Sequence, residues 1–316
     1  MDIALALLLI SASIVMVGVY LSSEGDQLDE SEGDRTAETL AAATTSATYN
    51  MSDIQEDEHF EEPEIVGSYE RSTYGPASSL LADAAVASAD VGDHTFIRYG
   101  DTLEESVAAN IDSALVGANH EVYVIASWEP YHGSAIGGNA TAGSRSPVTE
   151  DVSSASFSVD SGMSEIDLTV STVTQALNDD DIDHNEILAE AIAESVVEGY
   201  FPPTQTQLTL EQQGLDRAVS VTHYQRLADI VESETDADVD IDEDDLDRDE
   251  ANVDALNEAL VDGLTAYIHQ DIESSTFGAE LAELEETDAD HATVSELLED
   301  RLSIDTVDVT VQTWDP

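Results

Sequence analysis

The chain has 316 residues, of which 70 are Asp or Glu and 8 are Arg, so its formal net charge is −62. A net charge this large destabilises the compact folded state, because its like charges repel one another. Molar salt relieves that repulsion, because the Debye length falls to about 3 Å at 1 M, and the composition therefore indicates a protein adapted to high salt. The absence of Cys excludes disulfides and thiol chemistry, and the lack of any basic patch argues against binding to nucleic acid.

Residues 3–21 form a run of 19 residues without a charge. As a helix this run is about 28 Å long, close to the thickness of the hydrocarbon core of a bilayer. A cleaved signal peptide is the alternative, but such peptides carry a basic start and a shorter apolar core, whereas no Lys or Arg precedes this run. We predict that residues 1–22 are a single transmembrane anchor that contacts membrane lipid through residues 3–21.

Residues 23–75 are rich in Asp, Glu, Ser and Thr, and we predict an acidic flexible linker extended by repulsion between its charges. No basic residue closely flanks the apolar run, so the positive-inside rule gives no orientation. Two glycosylation sequons, at Asn50 and Asn139, fit an external location. We therefore expect a protein of the cell membrane with most of the chain outside the cell.

Residues 76–316 are predicted to form an α+β domain, with a small and mostly antiparallel sheet packed against several amphipathic helices. Apolar residues make up 41% of the whole chain, which argues against the disorder that acidic composition alone favours. Residues 79–89 and 103–115 show helical patterns, and residues 121–128 read as a central strand because both faces are largely apolar. Residues 131–147, rich in Gly, Ser and Ala, are predicted to be a loop before a strand at residues 154–160.

The second half is predicted to be mostly helical, with an exposed acidic loop at residues 232–250. The apolar stripe through Leu188, Ile192 and Val196 is typical of these helices. The chain ends in an alternating strand, residues 307–314, which we expect to be an edge strand able to pair with a partner. This strand and residues 121–128 both end in a Trp that is followed by an acid and Pro. The shared ending is explained equally well by two strands of one sheet and by coincidence.

Motifs that carry chemistry are missing from the sequence. It contains no G-x-S-x-G, H-E-x-x-H, P-loop or G-x-G-x-x-G, and no two of its eight His are three or four residues apart. Two runs have the ligand spacing of a calcium-binding loop but carry His184 and Glu243 where the loop needs Gly. We therefore assign no catalytic, cofactor or metal residue. The two runs are Asp179, Asp181, Asp183 and Glu190, and Asp238, Asp240, Asp242 and Asp249.

Three segments give the chain a family resemblance. The apolar start DIALALLLISASIV, the stretch SALVGANHEVYVIASWEPY and the stretch DVSSASFSVDSGM resemble an uncharacterised family of haloarchaeal single-pass membrane proteins. The resemblance implies an association with type IV pilus or Tad-like secretion loci, and hence partners among the membrane proteins of such machines. It implies no activity and no site residues. The chain lacks the basic, Gly-ending leader of true prepilins before its apolar run.

The function we predict from the sequence is that of a non-enzymatic, membrane-anchored accessory subunit of a pilus-like surface or secretion apparatus in a halophile. Two alternatives remain open. One is a membrane-anchored ectoenzyme, such as a hydrolase that uses carboxylates or a divalent ion. The other is a cation-binding surface protein. No small-molecule substrate is identified.

Overall fold

The computed structural model describes residues 31–63, 67–92, 94–95, 97–115, 120–146, 151–179, 182–235, 237, 239, 241, 243–287 and 289–315. The predicted anchor, residues 1–22, lies outside them, and within them no helix has the length and apolarity needed to cross a bilayer. The elements, in chain order, are α1 Ser31–Ala42, β1 Thr44–Asn50, β2 Glu70–Pro76, α2 Ala77–Ala87, β3 Asp90–Val91, β4 His94–Thr95, α3 Gly100–Leu115, β5 Glu121–Trp128, β6 Ile136–Gly143, β7 Ser153–Asp160, α4 Val170–Leu177, α5 His184–Tyr200, α6 Pro203–Leu210, α7 Leu215–Glu234, α8 Val253–Ser274, α9 Thr276–Glu286, α10 His291–Arg301 and β8 Thr306–Trp314.

Residues 31–63 and 67–76 are folded where a flexible linker was predicted. After α1, strands β1 and β2 pair in antiparallel fashion, with a bond between the hydroxyls of Thr48 and Ser72 at 3.0 Å. Leu40 and Ala47 are 2% and 0% exposed and belong to the main core. The linker prediction was wrong because apolar residues are few in this region, but those few reach the core through contacts with distant parts of the chain.

The fold is α+β, as predicted, and every strand pairing in its six-stranded sheet is antiparallel, in the order β4-β3-β6-β5-β8-β7. Strands β5 and β8, which share the Trp ending, are neighbours in this sheet. The expectation that β8 is an edge strand was wrong, because it is paired with β5 on one side and β7 on the other. Its Val307, Val309 and Val311 are fully buried on the inner face, so its alternation marks a core strand.

Helix α2 covers the inner face of the sheet at very short range. Nine of its eleven residues are buried, most of them Ala or Leu, and its Val86 O accepts a hydrogen bond from the Tyr200 hydroxyl of α5 at 2.7 Å. The prediction of a loop at residues 131–147 was wrong, because strand β6 occupies Ile136–Gly143. The close approach of α2 requires small residues in β6. A Cβ on Gly138 would stand 2.1 Å from Ala85 O.

The second half is mostly helical in its described residues, as predicted, and its helices contribute to the core. Helix α5 packs along α8, and Tyr224 of α7 donates its hydroxyl to Asn257 at 2.6 Å, while the Asn257 amide donates to Phe201 O at 2.9 Å. The acidic segment 232–250 begins within α7 and is less exposed than expected. Val239 and Leu246 are 4% and 1% exposed and join the core.

Gly138 offers a direct test of the close contact between β6 and α2. We expect Gly138→Ala to lower the free energy of unfolding by about 1–3 kcal/mol, because the added methyl overlaps the α2 backbone. Gly67→Ala is the matched control, since its Cβ would meet nothing within 4 Å. Urea titrations in 3 M KCl measure both. Equal stability of the two variants would contradict the close packing.

Candidate functional site

The segment after β1 lies against the start of α7. Met51 and Ile54 pack with Leu215 and Val219 in an apolar cluster separate from the main core. A short 3-10 helix, Ser52–Glu56, ends immediately before Asp57. The backbone therefore places Asp57, which is buried, next to this apolar cluster at the start of α7.

Asp57 is the centre of a buried ionic cluster. Its side chain is 1% exposed, and Oδ2 accepts hydrogen bonds from Arg98 Nε at 3.1 Å and from Arg226 Nη1 at 2.8 Å. Arg226 also donates through Nε and Nη2 to Thr95 O, at 2.8 and 2.6 Å. One carboxylate thus joins three parts of the chain, namely the segment after β1, the end of β4 with the residues that follow it, and helix α7.

The charge of Asp57 is stabilised by these donors. Burial alone raises the pKa of the Asp57 carboxyl, but hydrogen bonds from the His59 N–H, Arg98 and Arg226 outweigh burial and hold the pKa below its usual value. Asp57 is therefore ionised in the folded protein, and two of the eight Arg in the chain neutralise it.

The same cluster positions a second group of polar residues. His59 Nε2 lies 2.8 Å from Asp229 Oδ2, and Asp229 is one helical turn beyond Arg226. Glu58 lies beside this pair. One potential metal-ligand atom from each of the three residues lies within 4.8 Å of the other two. Glu58 and Asp229 are exposed, and the hydrogen bond between His59 and Asp229 accounts for their proximity without a metal. Glu58, His59 and Arg217 border a cavity of 820 Å³.

A different cleft, of 470 Å³, is bordered by β1, α2 and α7. The rings of Tyr49 and Tyr99 are stacked in it, with centroids 5.4 Å apart, and the His223 ring lies 5.9 Å from that of Tyr99. His223 is only 6% exposed, and its Nε2 has no hydrogen-bond partner in the described part of the chain. Asp83 of α2 also borders this cleft.

Burial controls the protonation of the groups in this cleft. It lowers the pKa of His223 to about 4, although the charge of Asp57 acts in the opposite direction, so the imidazole is neutral at pH 7. It also raises the pKa of Tyr99 to about 12. For Asp83, burial and the nearby charge of Asp160 both raise the pKa. A neutral imidazole and neutral phenols can all form hydrogen bonds to a ligand.

The structure gives other roles to the residues with calcium-loop spacing. Asp183 caps α5, accepting from the N–H groups of Asn185 and Glu186, and it lies 3.1 Å from His269 Nε2. The described members of the first run, Asp179, Asp183 and Glu190, form no group of potential metal ligands, and only Asp249 of the second run is described. The remaining members of the two runs lie outside the described residues, namely Asp181, Asp238, Asp240 and Asp242.

Sequence reasoning missed both Asp57 and His223. Asp57 falls in the predicted linker, and no local signal separates it from the many other acids. His223 carries a signal, because Val219 and Leu227 stand four residues before and after it on α7, and both are buried. A His within an apolar helical stripe is placed in a core, where its polar atoms need partners.

By its fold the chain is an α+β protein in which one antiparallel sheet packs against helices, with an aromatic cleft between its N-terminal hairpin and its helical half. A model of the family of unknown function DUF7284 matches residues 1–314, and the chain belongs to that family. No curated protein and no solved structure matches the chain. The family is uncharacterised, in agreement with the resemblance noted from the sequence.

Asp57→Asn tests the ionic cluster. We expect a loss of about 3 kcal/mol in the free energy of unfolding, because two partly buried Arg side chains lose their counter-charge. Glu56→Gln, at an exposed neighbouring position, removes one charge without breaking the cluster and is expected to change stability little. Urea unfolding in 3 M KCl compares the two. If both substitutions changed the free energy of unfolding by a similar amount, the change would be due to net charge and not to the loss of the cluster.

His223 predicts a specific acid sensitivity. Between pH 6.5 and about 4 the unfolded chain binds a proton at this residue and the folded chain does not, so stability falls as pH falls. From pH 7 to pH 5 we expect wild type to lose about 2 kcal/mol relative to His223→Gln. His291→Gln, at an exposed site, is the control. Parallel pH profiles for wild type and His223→Gln would contradict the burial of a neutral imidazole.

Proposed function

We propose that the chain is a non-enzymatic, membrane-anchored accessory subunit of a pilus-like surface or secretion apparatus in a halophile, with its α+β domain outside the cell. The uncharged run at residues 3–21 supports an anchor, and the charge of −62 supports life in high salt. The resemblance noted in the sequence supports the link to a pilus-like machine. Partners are expected among its membrane proteins.

The observation that carries the proposal of assembly is the free edge of the sheet at β7. In the described part of the chain β7 pairs with β8 on one side, and no strand pairs with its other side. An edge of this kind presents N–H and C=O groups that another strand can bind. Strand β7 therefore takes the place of β8 as the strand expected to pair with a partner.

The register identifies which groups of β7 face outward. Ser161 donates its N–H to Asp305 O at 2.9 Å, in the residue pair that follows the last pair of β7 and β8. Hydrogen-bonded and non-hydrogen-bonded pairs alternate along antiparallel strands. The pairs of Phe157 and Val159 with β8 are therefore hydrogen-bonded, whereas the N–H groups of Ser156 and Ser158 point away from β8.

Most of this edge lacks the features that usually prevent pairing, and its one charged residue is Asp160 at the end of β7. Residues 152–159 contain no charge and no Pro, although charged residues make up 25% of the chain. Natural edge strands are normally protected by charges, Pro or bulges. The outer side chains of β7 are exposed and small, and Ser156 and Ser158 bond to Thr310 and Asp308 of β8 at 3.0 Å. No described strand pairs with this side of β7, and helix α1 contacts the start of the strand near Ser153 and Ser154.

Ser156→Pro tests pairing at the β7 edge in native membranes. Pro removes an outward N–H and no backbone bond to β8, although the side-chain bond to Thr310 is lost, so the domain should fold with a small loss of stability while strand addition is blocked. We expect wild-type protein, tagged and solubilised in 3 M KCl, to retain pilus-type ATPase, platform or pilin-like subunits in mass spectrometry. The variant is expected to lose most of them.

Ser156→Thr is the matched control, because Thr keeps the N–H and favours a strand. It should retain the partners at the wild-type level. Recovery of the wild-type chain alone would contradict the proposed function. Equal recovery of partners with both variants would contradict the role of β7 while leaving the accessory function standing.

A further inference from the structure

One buried polar group without a hydrogen-bond partner borders this cleft, and an exposed carboxylate lies on its rim. The Nε2 atom of His223 has no hydrogen-bond partner although the residue is 6% exposed. Asp83, an exposed carboxylate of α2, borders the same cleft and has no hydrogen bond or ion pair with any described residue. Buried polar groups in native proteins are nearly always satisfied, so an orphan inside a cleft points to a ligand that supplies the missing partner.

Four aromatic side chains form part of the walls of the cleft. Tyr49 and Tyr99 stack on each other, and Tyr200 and Phe201 border the same space. The volume of 470 Å³ lies within the range of small-molecule sites, which are typically apolar with a few convergent polar groups. It is far larger than the space that a single metal ion requires. The lining therefore suits a small organic molecule.

The charged residues around the cleft favour a ligand with a positive charge. Two carboxylates, Asp83 and Asp216, border it, and no Arg is among its lining residues. Arg71 pairs with Asp216, which leaves Asp83 as the carboxylate without a cation. Aromatic faces together with a carboxylate are the usual means of holding an organic ammonium. The acidic surface also concentrates cations around the whole protein.

We propose that the cleft between Tyr49, Tyr99, Asp83 and His223 binds a small organic cation of the alkylammonium class. The aromatic rings contact the alkyl groups and the positive charge, and Asp83 supplies the counter-charge. His223 Nε2 forms a hydrogen bond with a hydroxyl or a similar polar group at the other end of the molecule. An anion is disfavoured by both carboxylates.

Choline and its uncharged isostere 3,3-dimethylbutan-1-ol separate charge recognition from shape. Both are titrated into the full-length, detergent-solubilised chain in 3 M KCl by calorimetry. We expect saturable binding of choline, with a Kd about tenfold lower than that of the alcohol, because only choline gains the cation–π and carboxylate contacts. Equal affinity for the two molecules, or no saturable binding of choline, would overturn the proposal.

Asp83→Asn removes the counter-charge with little change of shape. It is expected to weaken choline binding about tenfold and to leave the affinity for the alcohol unchanged. Asp112→Asn on α3 is the matched control, since it removes an exposed charge that does not border the cleft. A loss of choline affinity of the same size in both variants would assign the effect to the general acidic field and overturn the site.

Discussion

Asp57 and the two Arg side chains that bind it are the interaction on which the arrangement of the rest depends. In a chain with a net charge of −62, most of the surface repels itself, and Arg98 and Arg226 are two of only eight cations. Their positions in different parts of the chain mean that they hold together segments that would otherwise separate. Because Asp57 is buried, salt screens this contact much less than it screens the surface charges.

The candidate cleft exists because the ionic cluster and the small-residue contact act together. The cluster holds the segment after β1 against α7, which brings Tyr49 towards His223. The close approach of α2 to β6 at Gly138 fixes the opposite wall, from which Asp83 borders the cleft. The cleft is therefore a consequence of the packing between two halves of the fold, and it needs no special loop.

Elements with strong periodic patterns could be predicted from the sequence, and elements set by distant contacts could not. The stripe of Leu188 and Ile192 identified α5, and the alternation of Val307 and Val309 identified β8 as a strand. The position of β8 inside the sheet depends on pairing, which alternation alone does not determine. Strand β6 was missed because its Gly residues are required by the close approach of α2, which is a contact between distant parts of the chain. The cleft was missed because its residues lie in separate segments.

Hydrogen–deuterium exchange of the full-length chain in 3 M KCl tests most directly whether the Asp57 cluster holds the N-terminal hairpin on the fold. In wild type, amides of β1 and β2 should be protected to nearly the same degree as those of β5 and β8. In Asp57→Asn the hairpin amides should lose protection first, while β5 and β8 keep it. Exchange of the wild-type hairpin at the rate of an unfolded chain would contradict this, and would return residues 31–63 and 67–76 to the role of a flexible linker.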